Sequence, residues 1–181
     1  MNRDEALAIL ERAQPVCTPA DARAAVDRLA GEITGRLSGE FPVVLAVMGG
    51  AVVFAGQLLP LLAFPLEFGA IEVTRYANTT AGGGIEWRLA PKDEVRGRTV
   101  LVLDDILDEG VTLAAIREKL LGMGAREVFT AVFADKETGR AKPVAADFVG
   151  VRVPDRYVFG FGMDAYGLWR NLPGVHALGG G

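Results

Sequence analysis

The stretch 99–121 limits what this chain can fold into more than any other. It opens with Thr-Val-Leu-Val-Leu, an apolar, β-branched run of buried-strand length, and the run ends in two adjacent carboxylates, Asp104 and Asp105. A short turn follows with Asp108, Glu109 and Gly110, and Thr112 then leads into a helical pattern from Leu113 to Leu121. A buried strand, a tight acidic turn and a helix start therefore follow one another without spare chain.

Such a turn suits a phosphate monoester. The first N–H groups of a helix lack intrahelical partners, and the helix dipole adds positive potential there. Gly110 lets the backbone approach closely and take φ > 0. The Thr112 hydroxyl can cap the helix and donate to a phosphate oxygen. Strand side chains alternate between faces, so Asp104 and Asp105 cannot share one job. At least one can accept hydrogen bonds from vicinal sugar hydroxyls, and Asp108 in the turn can accept a proton. An ordinary core strand with a solvated acidic turn would give a similar pattern. A calcium loop would not, because Ile106 and Glu109 stand where oxygen and glycine are needed. No Gly-x-x-x-x-Gly-Lys occurs.

The order apolar strand, Asp104-Asp105, two apolar residues, Asp108, a variable residue, Gly110, a variable residue, Thr112 resembles the phosphoribosyl pyrophosphate (PRPP) motif of type I phosphoribosyltransferases. The resemblance implies that Asp104, Asp105, Asp108, Glu109, Gly110, Val111 and Thr112 bind the ribose 5-phosphate portion of PRPP. Many relatives carry Thr or Ser where this chain has Glu109. The extra charge is tolerated if that position works through its N–H while its side chain faces water.

Composition narrows the class. At 181 residues one domain with a sizeable core is expected. A net charge of −4 offers no basic field for nucleic acid. The single cysteine, Cys17, excludes an intrachain disulfide and suits a reducing cytoplasm. It is expected to be structural, in a Pro-rich link between two helices. The first residues lack a signal-peptide core. The most apolar region, 52–71, is interrupted by Gln57, Pro60, Pro65 and Glu67, whereas a membrane span needs about 20 mostly apolar residues. The lone histidine, His176, lies near a Gly-rich tail, where a surface or interface role is expected, and it cannot make a histidine-based metal cluster.

Along the chain, 3–13 reads as a short helix. Thr18-Pro19 starts a second, running to Leu37 with Val26, Leu29, Ile33 and Leu37 at helical spacing. Residues 42–47 form a buried strand that ends in Met48-Gly49-Gly50 before another helix, a geometry that exposes N–H groups to an anion and that an ordinary βαβ turn would share. Residues 66–76 read as a strand, 78–84 as a mobile loop by composition and 85–89 as the returning strand. Strands are also expected at 127–133, 148–155 and 157–161, with Lys136 following the first of them.

Lys136, Asp147-Phe148-Val149-Gly150, Pro154-Asp155-Arg156-Tyr157-Val158, Gly160, Asp164 and Arg170 resemble, in order and spacing, the purine-recognition half of hypoxanthine-guanine phosphoribosyltransferases. Together the motifs cover the chain from about residue 40 onward. The fold implied is a doubly wound parallel α/β sheet (40–150) with a small hood from the terminal segments 1–39 and 151–181. The reaction implied is 6-oxopurine plus PRPP giving a nucleoside 5′-monophosphate and pyrophosphate, with Mg²⁺ as cofactor held by Asp164, Asp104 and Asp105. In the family, Met48-Gly49 and Arg170 would contact pyrophosphate, the former often across a cis peptide, here Val47–Met48. Relatives often carry Lys or Arg at the Met48 position. Arg75-Tyr76 would stand at the lid in place of the family's Ser-Tyr. Tyr157 would stack on the purine, Val158 would read its edge through the backbone, Lys136 would donate to O6 and Asp108 would be the general base. A homodimer or homotetramer is implied, without nucleic acid or membrane. A catalytically inactive PRPP-sensing regulator on the same fold is the second reading, although no nucleic-acid surface or DNA-binding domain is visible. Xanthine as a substrate depends on the pocket beside Arg156.

Overall fold

A computed structural model of the chain describes residues 1–75 and 85–179. In order, the elements are α1 (Arg3–Glu11), β1 (Gln14–Cys17), α2 (Pro19–Leu37), β2 (Val43–Met48), α3 (Val52–Leu58), β3 (Glu67–Arg75), β4 (Ile85–Leu89), β5 (Thr99–Leu107), α4 (Val111–Gly122), β6 (Glu127–Glu137), β7 (Phe148–Pro154), β8 (Val158–Phe159) and β9 (Val175–Ala177). Local chemistry sets several boundaries. Asn2 with Glu5 and Thr18 with Asp21 form reciprocal capping boxes that start α1 and α2, and Pro19 occupies the first turn of α2.

The main sheet has the order β4-β3-β2-β5-β6-β7. All neighbours are parallel except β4, which returns antiparallel along β3. Alternate strand residues feed two cores. Val44, Ala46, Leu101, Leu103, Ala131 and Phe133 pack against α2 and α3. Val43, Leu45, Val100, Val102, Val128 and Val132 pack against Leu113, Ile116 and Leu120 of α4. Helices cover both faces, so the central strands are mostly apolar on both sides. Numbering only the parallel strands gives the order 2-1-3-4-5, and the direction in which strands are added across the sheet reverses between β2 and β5. Ligands bind such sheets in the crevice beyond the strand C-termini at that reversal. Met48-Gly49-Gly50 and Asp104-Asp105 stand there.

A second, three-stranded antiparallel sheet, β1-β9-β8, joins the two ends of the chain. Four expectations change. Cys17 ends strand β1, buried, rather than sitting in a link; the strand is short and carries Pro15, which hides its pattern. The helix α2, within the terminal segment 1–39, packs into the main core through Leu29, Ile33 and Leu37 because its apolar stripe faces the sheet. His176 lies in β9, half-buried, with its ring 5.8 Å from that of Phe159. The cis peptide is Met48–Gly49, one bond later than expected. Val47 and Met48 are both still paired with β3, opposite Ile71 and Glu72, so the first bond free of the ladder is the one after Met48.

Candidate active site

A cleft of about 310 Å³ opens at the sheet reversal. Met48, Gly49 and Gly50 from the β2 loop form one wall, and Asp104 through Leu113 form the floor. Arg75 reaches in from the end of β3, and Asp164 and Arg170 come from the segment between β8 and β9.

The floor is built by Gly110. It is the N-cap of α4 with φ 81°, and no side chain caps the helix. Thr112 is therefore the second helical residue and not the cap. Its hydroxyl is released from that duty because Gly110 already turns the chain. The helix N-terminus faces the cleft, with Gly110, Val111 and Thr112 lining it.

The two strand carboxylates differ, as alternation requires. Asp104 is buried at 9% exposure, and Asp105 is half-buried. Burial, aided by the neighbouring Asp105 carboxylate, pushes the Asp104 carboxyl well above the ordinary range. Burial raises Asp105 too, opposed by hydrogen bonding from Asp104 and by the Arg170 charge. A Cβ placed on Gly50 would fall 2.0 Å from Asp105 Oδ2. A Cβ on Gly162, whose φ is 101°, would fall 2.0 Å from the Gly50 carbonyl oxygen. Two glycines thus let three segments close on one carboxylate.

Arg170 donates to the Gly162 carbonyl at 2.6 Å and pairs with Asp164 at 2.7 Å. The other Asp164 oxygen accepts from the Gly167 N–H at 2.8 Å. At the far rim, Lys136 Nζ lies 2.5 Å from Asp108 Oδ2, with side-chain exposures of 12% and 47%. Arg75 meets Glu109 at 2.8 Å. The Glu109 side chain is exposed, as expected, yet it is paired, so the two departures from the resembling motifs neutralise each other. Tyr157 and Val158 begin the hood strand region outside the cleft lining. Tyr157 is exposed and its ring stacks on Tyr166 at 5.9 Å, and Val158 is buried in β8. Arg156 donates to Gln14 Oε1 and the Leu178 carbonyl, which ties the hood strands together. Tyr76 and the loop 78–84 lie outside the described residues.

Among the described residues no cluster of three His, Cys, Asp or Glu is poised to hold a metal ion, and no helix is long and apolar enough to cross a membrane. Sequence reasoning did not single out Gly162, for which the alternation Gly160-Phe-Gly162 was the available signal.

The geometry agrees with the comparisons. The phosphoribosyl transferase domain family matches residues 20–166. The hypoxanthine-guanine phosphoribosyltransferase of Bacillus subtilis is 34% identical over 154 residues, 84% of this chain and 86% of that protein. The hypoxanthine-guanine-xanthine phosphoribosyltransferase of Tritrichomonas foetus is 33% identical over 159 residues, 87% of each. A hypoxanthine phosphoribosyltransferase structure from Staphylococcus aureus superimposes with TM-score 0.84 at 25% identity over 94% of both chains. With a parallel sheet, a glycine-capped helix start at its reversal and these relatives over most of its length, the chain belongs to the hypoxanthine-guanine phosphoribosyltransferase family.

Proposed function

We propose that the protein transfers the 5-phosphoribosyl group from PRPP to hypoxanthine or guanine, giving IMP or GMP and pyrophosphate, in purine salvage. One observation carries the reading: the Asp108–Lys136 pair, 2.5 Å apart, stands beside the glycine-capped start of α4. A proton acceptor, an amine able to read a carbonyl and a phosphate cradle then share one place.

The chemistry needs alignment and charge stabilisation more than a protein nucleophile. The amides at Gly110–Thr112 and the Thr112 hydroxyl hold the 5′-phosphate. The Asp104-Asp105 pair accepts the ribose hydroxyls. Arg170, the Met48-Gly49 backbone and Arg75 take up charge on the departing pyrophosphate. Lys136 donates to O6 of the base and, in doing so, leaves Asp108 free to accept the N7 proton as N9 attacks C1′. Tyr157 covers the ring, and Val158 offers backbone groups to its edge. The donor set suits Mg²⁺, which takes few protein carboxylates and keeps waters and substrate oxygens. Asp104, Asp105 and Asp164 are hard oxygen donors that border the cleft without gathering as a set of three, so one or two of them would hold the ion together with water and substrate oxygens; the ion would neutralise pyrophosphate charge. A reducing cytoplasm fits the single free, buried cysteine and is checked by fractionation; the homodimer or homotetramer rests on the family resemblance alone and is checked by light scattering.

The deciding experiment incubates the purified protein with PRPP, Mg²⁺ and each purine base and follows nucleotide by chromatography. IMP and GMP should form. AMP should not, because an amino group at C6 leaves Lys136 unpaired. PRPP binding without product from any base would replace the enzyme by a sensor of PRPP.

A further inference from the structure

One largely buried cation beside the cleft has no part in the scheme above. Lys142, in the segment after β6, directs its ammonium at three acceptors: the Asp135 carboxylate at 2.5 Å, the Lys136 carbonyl at 2.7 Å and the Leu107 carbonyl at 2.8 Å. An ammonium has three donors, so the group is saturated. Its side chain is 14% exposed, and burial at that level is tolerated because a carboxylate and two carbonyls replace the lost water.

The position of these acceptors matters more than their number. Leu107 and Asp135 are opposite each other at the end of the β5–β6 seam. Leu107 immediately precedes Asp108. Lys136 carries the amine that meets Asp108. Lys142 therefore fastens the two backbones where they leave the sheet and carry their polar side chains to the rim. The same segment also backs the phosphate turn. A Cβ on Gly110 would lie 3.3 Å from Pro143 Cδ and 3.4 Å from Lys142 Cβ. The stem of Lys142 and the ring of Pro143 thus close the space behind the turn while the ammonium holds its base.

We infer that Lys142 is a positioning residue that clamps the Asp108–Gly110 turn to the end of β6, fixing the spacing between proton acceptor, phosphate cradle and base-reading amine. The assignment of those three roles rests on the transferase reading; the clamp itself rests on the contacts of Lys142.

Lys142→Met keeps the stem and removes the three donors. Amide hydrogen exchange should quicken at residues 107–112 and 136–138 and stay unchanged in α2 and β2. With PRPP and hypoxanthine, KM for both substrates should rise and kcat fall, for a combined loss in kcat/KM on the order of 100-fold, the scale of an ångström's misplacement of reacting groups. Lys142→Arg, which restores a cationic donor, should recover part of it. Should the methionine variant fold poorly, Asp135→Asn weakens the same clamp more gently and should shift both KM values in the same direction. Unchanged exchange at 107–112 overturns the inference. So does a fall in kcat with both KM values unchanged, because binding groups moved out of place would change KM. A wild-type protein that makes no nucleotide counts against the transferase reading instead, and the exchange pattern still decides the clamp.

Discussion

Asp108 and Lys136 share a short contact, but the proposed reaction gives them different tasks, so their variants should fail differently. Asp108→Ala should leave PRPP binding near wild type by calorimetry and lower kcat on the order of 100-fold, the usual scale for a lost general base; a wild-type kcat would remove its role. Lys136→Ala should raise KM for hypoxanthine, and a change confined to KM for PRPP would show that the amine reads something else. Gly162 makes a sharper demand. Its φ of 101° and the Gly50 carbonyl, 2.0 Å from any Cβ, leave no room for a side chain. Gly162→Ala should cost about 1–3 kcal/mol of stability from backbone strain alone in a urea titration. It should also displace Asp105, and with it KM for PRPP. An alanine variant with both values unchanged would mean the three segments can separate freely.

At the level of elements, the ends of β3 and β5 are linked across the cleft by Arg75 and Glu109, with side-chain exposures of 51% and 61%. Such an exposed pair contributes about 0–1 kcal/mol, so neither Arg75→Ala nor Glu109→Gln should move the melting temperature much. The effect belongs in KM for PRPP. Glu109→Gln removes a negative charge beside the proposed phosphate turn and should lower it about twofold, roughly what a few tenths of a kcal/mol permits, whereas Arg75→Ala should raise it. Equal shifts of one sign from both variants would show that the pair acts only as a brace. The sequence already marked both ends of this link, because each departs from a motif, but not that they meet. That requires β3 and β5 to flank β2, a fact of strand order and not of local pattern. The same reason separates what was legible from what was not. The strand-turn-helix at 99–121, the Thr18 cap and the alternating carboxylates follow from neighbours in sequence. The hood sheet pairs residue 14 with residue 177, and β1 is too short and proline-marked to announce itself. Lys142 acquires its partners only when the β5–β6 seam forms.

On the scale of the molecule, the hood matters because it delivers Asp164, Arg170 and Gly162 to a cleft whose floor belongs to the sheet. Its central strand, β9, carries His176 against Phe159, with Nδ1 buried and no hydrogen-bond partner among the described residues. Burial without a partner lowers the His176 pKa from 6.5. The folded chain therefore resists a proton that the unfolded chain accepts. Stability from this site is complete above about pH 6.5 and is lost as pH falls from there through the folded pKa. The buried Asp104 and Asp105 work in the other direction. Their raised pKa values favour the fold at low pH, and that contribution fades as pH rises through them. Absolute stability profiles thus mix two opposed slopes, whereas a difference between variants does not. His176→Phe keeps a ring against Phe159 and removes the titrating group while leaving the aspartates untouched. The wild-type melting temperature minus that of the variant should be constant from pH 8 to about 7 and should fall steadily on acidification below about 6.5. A flat difference across that range would mean that the histidine is solvated when folded, and that the hood does not hold its central strand closed over Phe159.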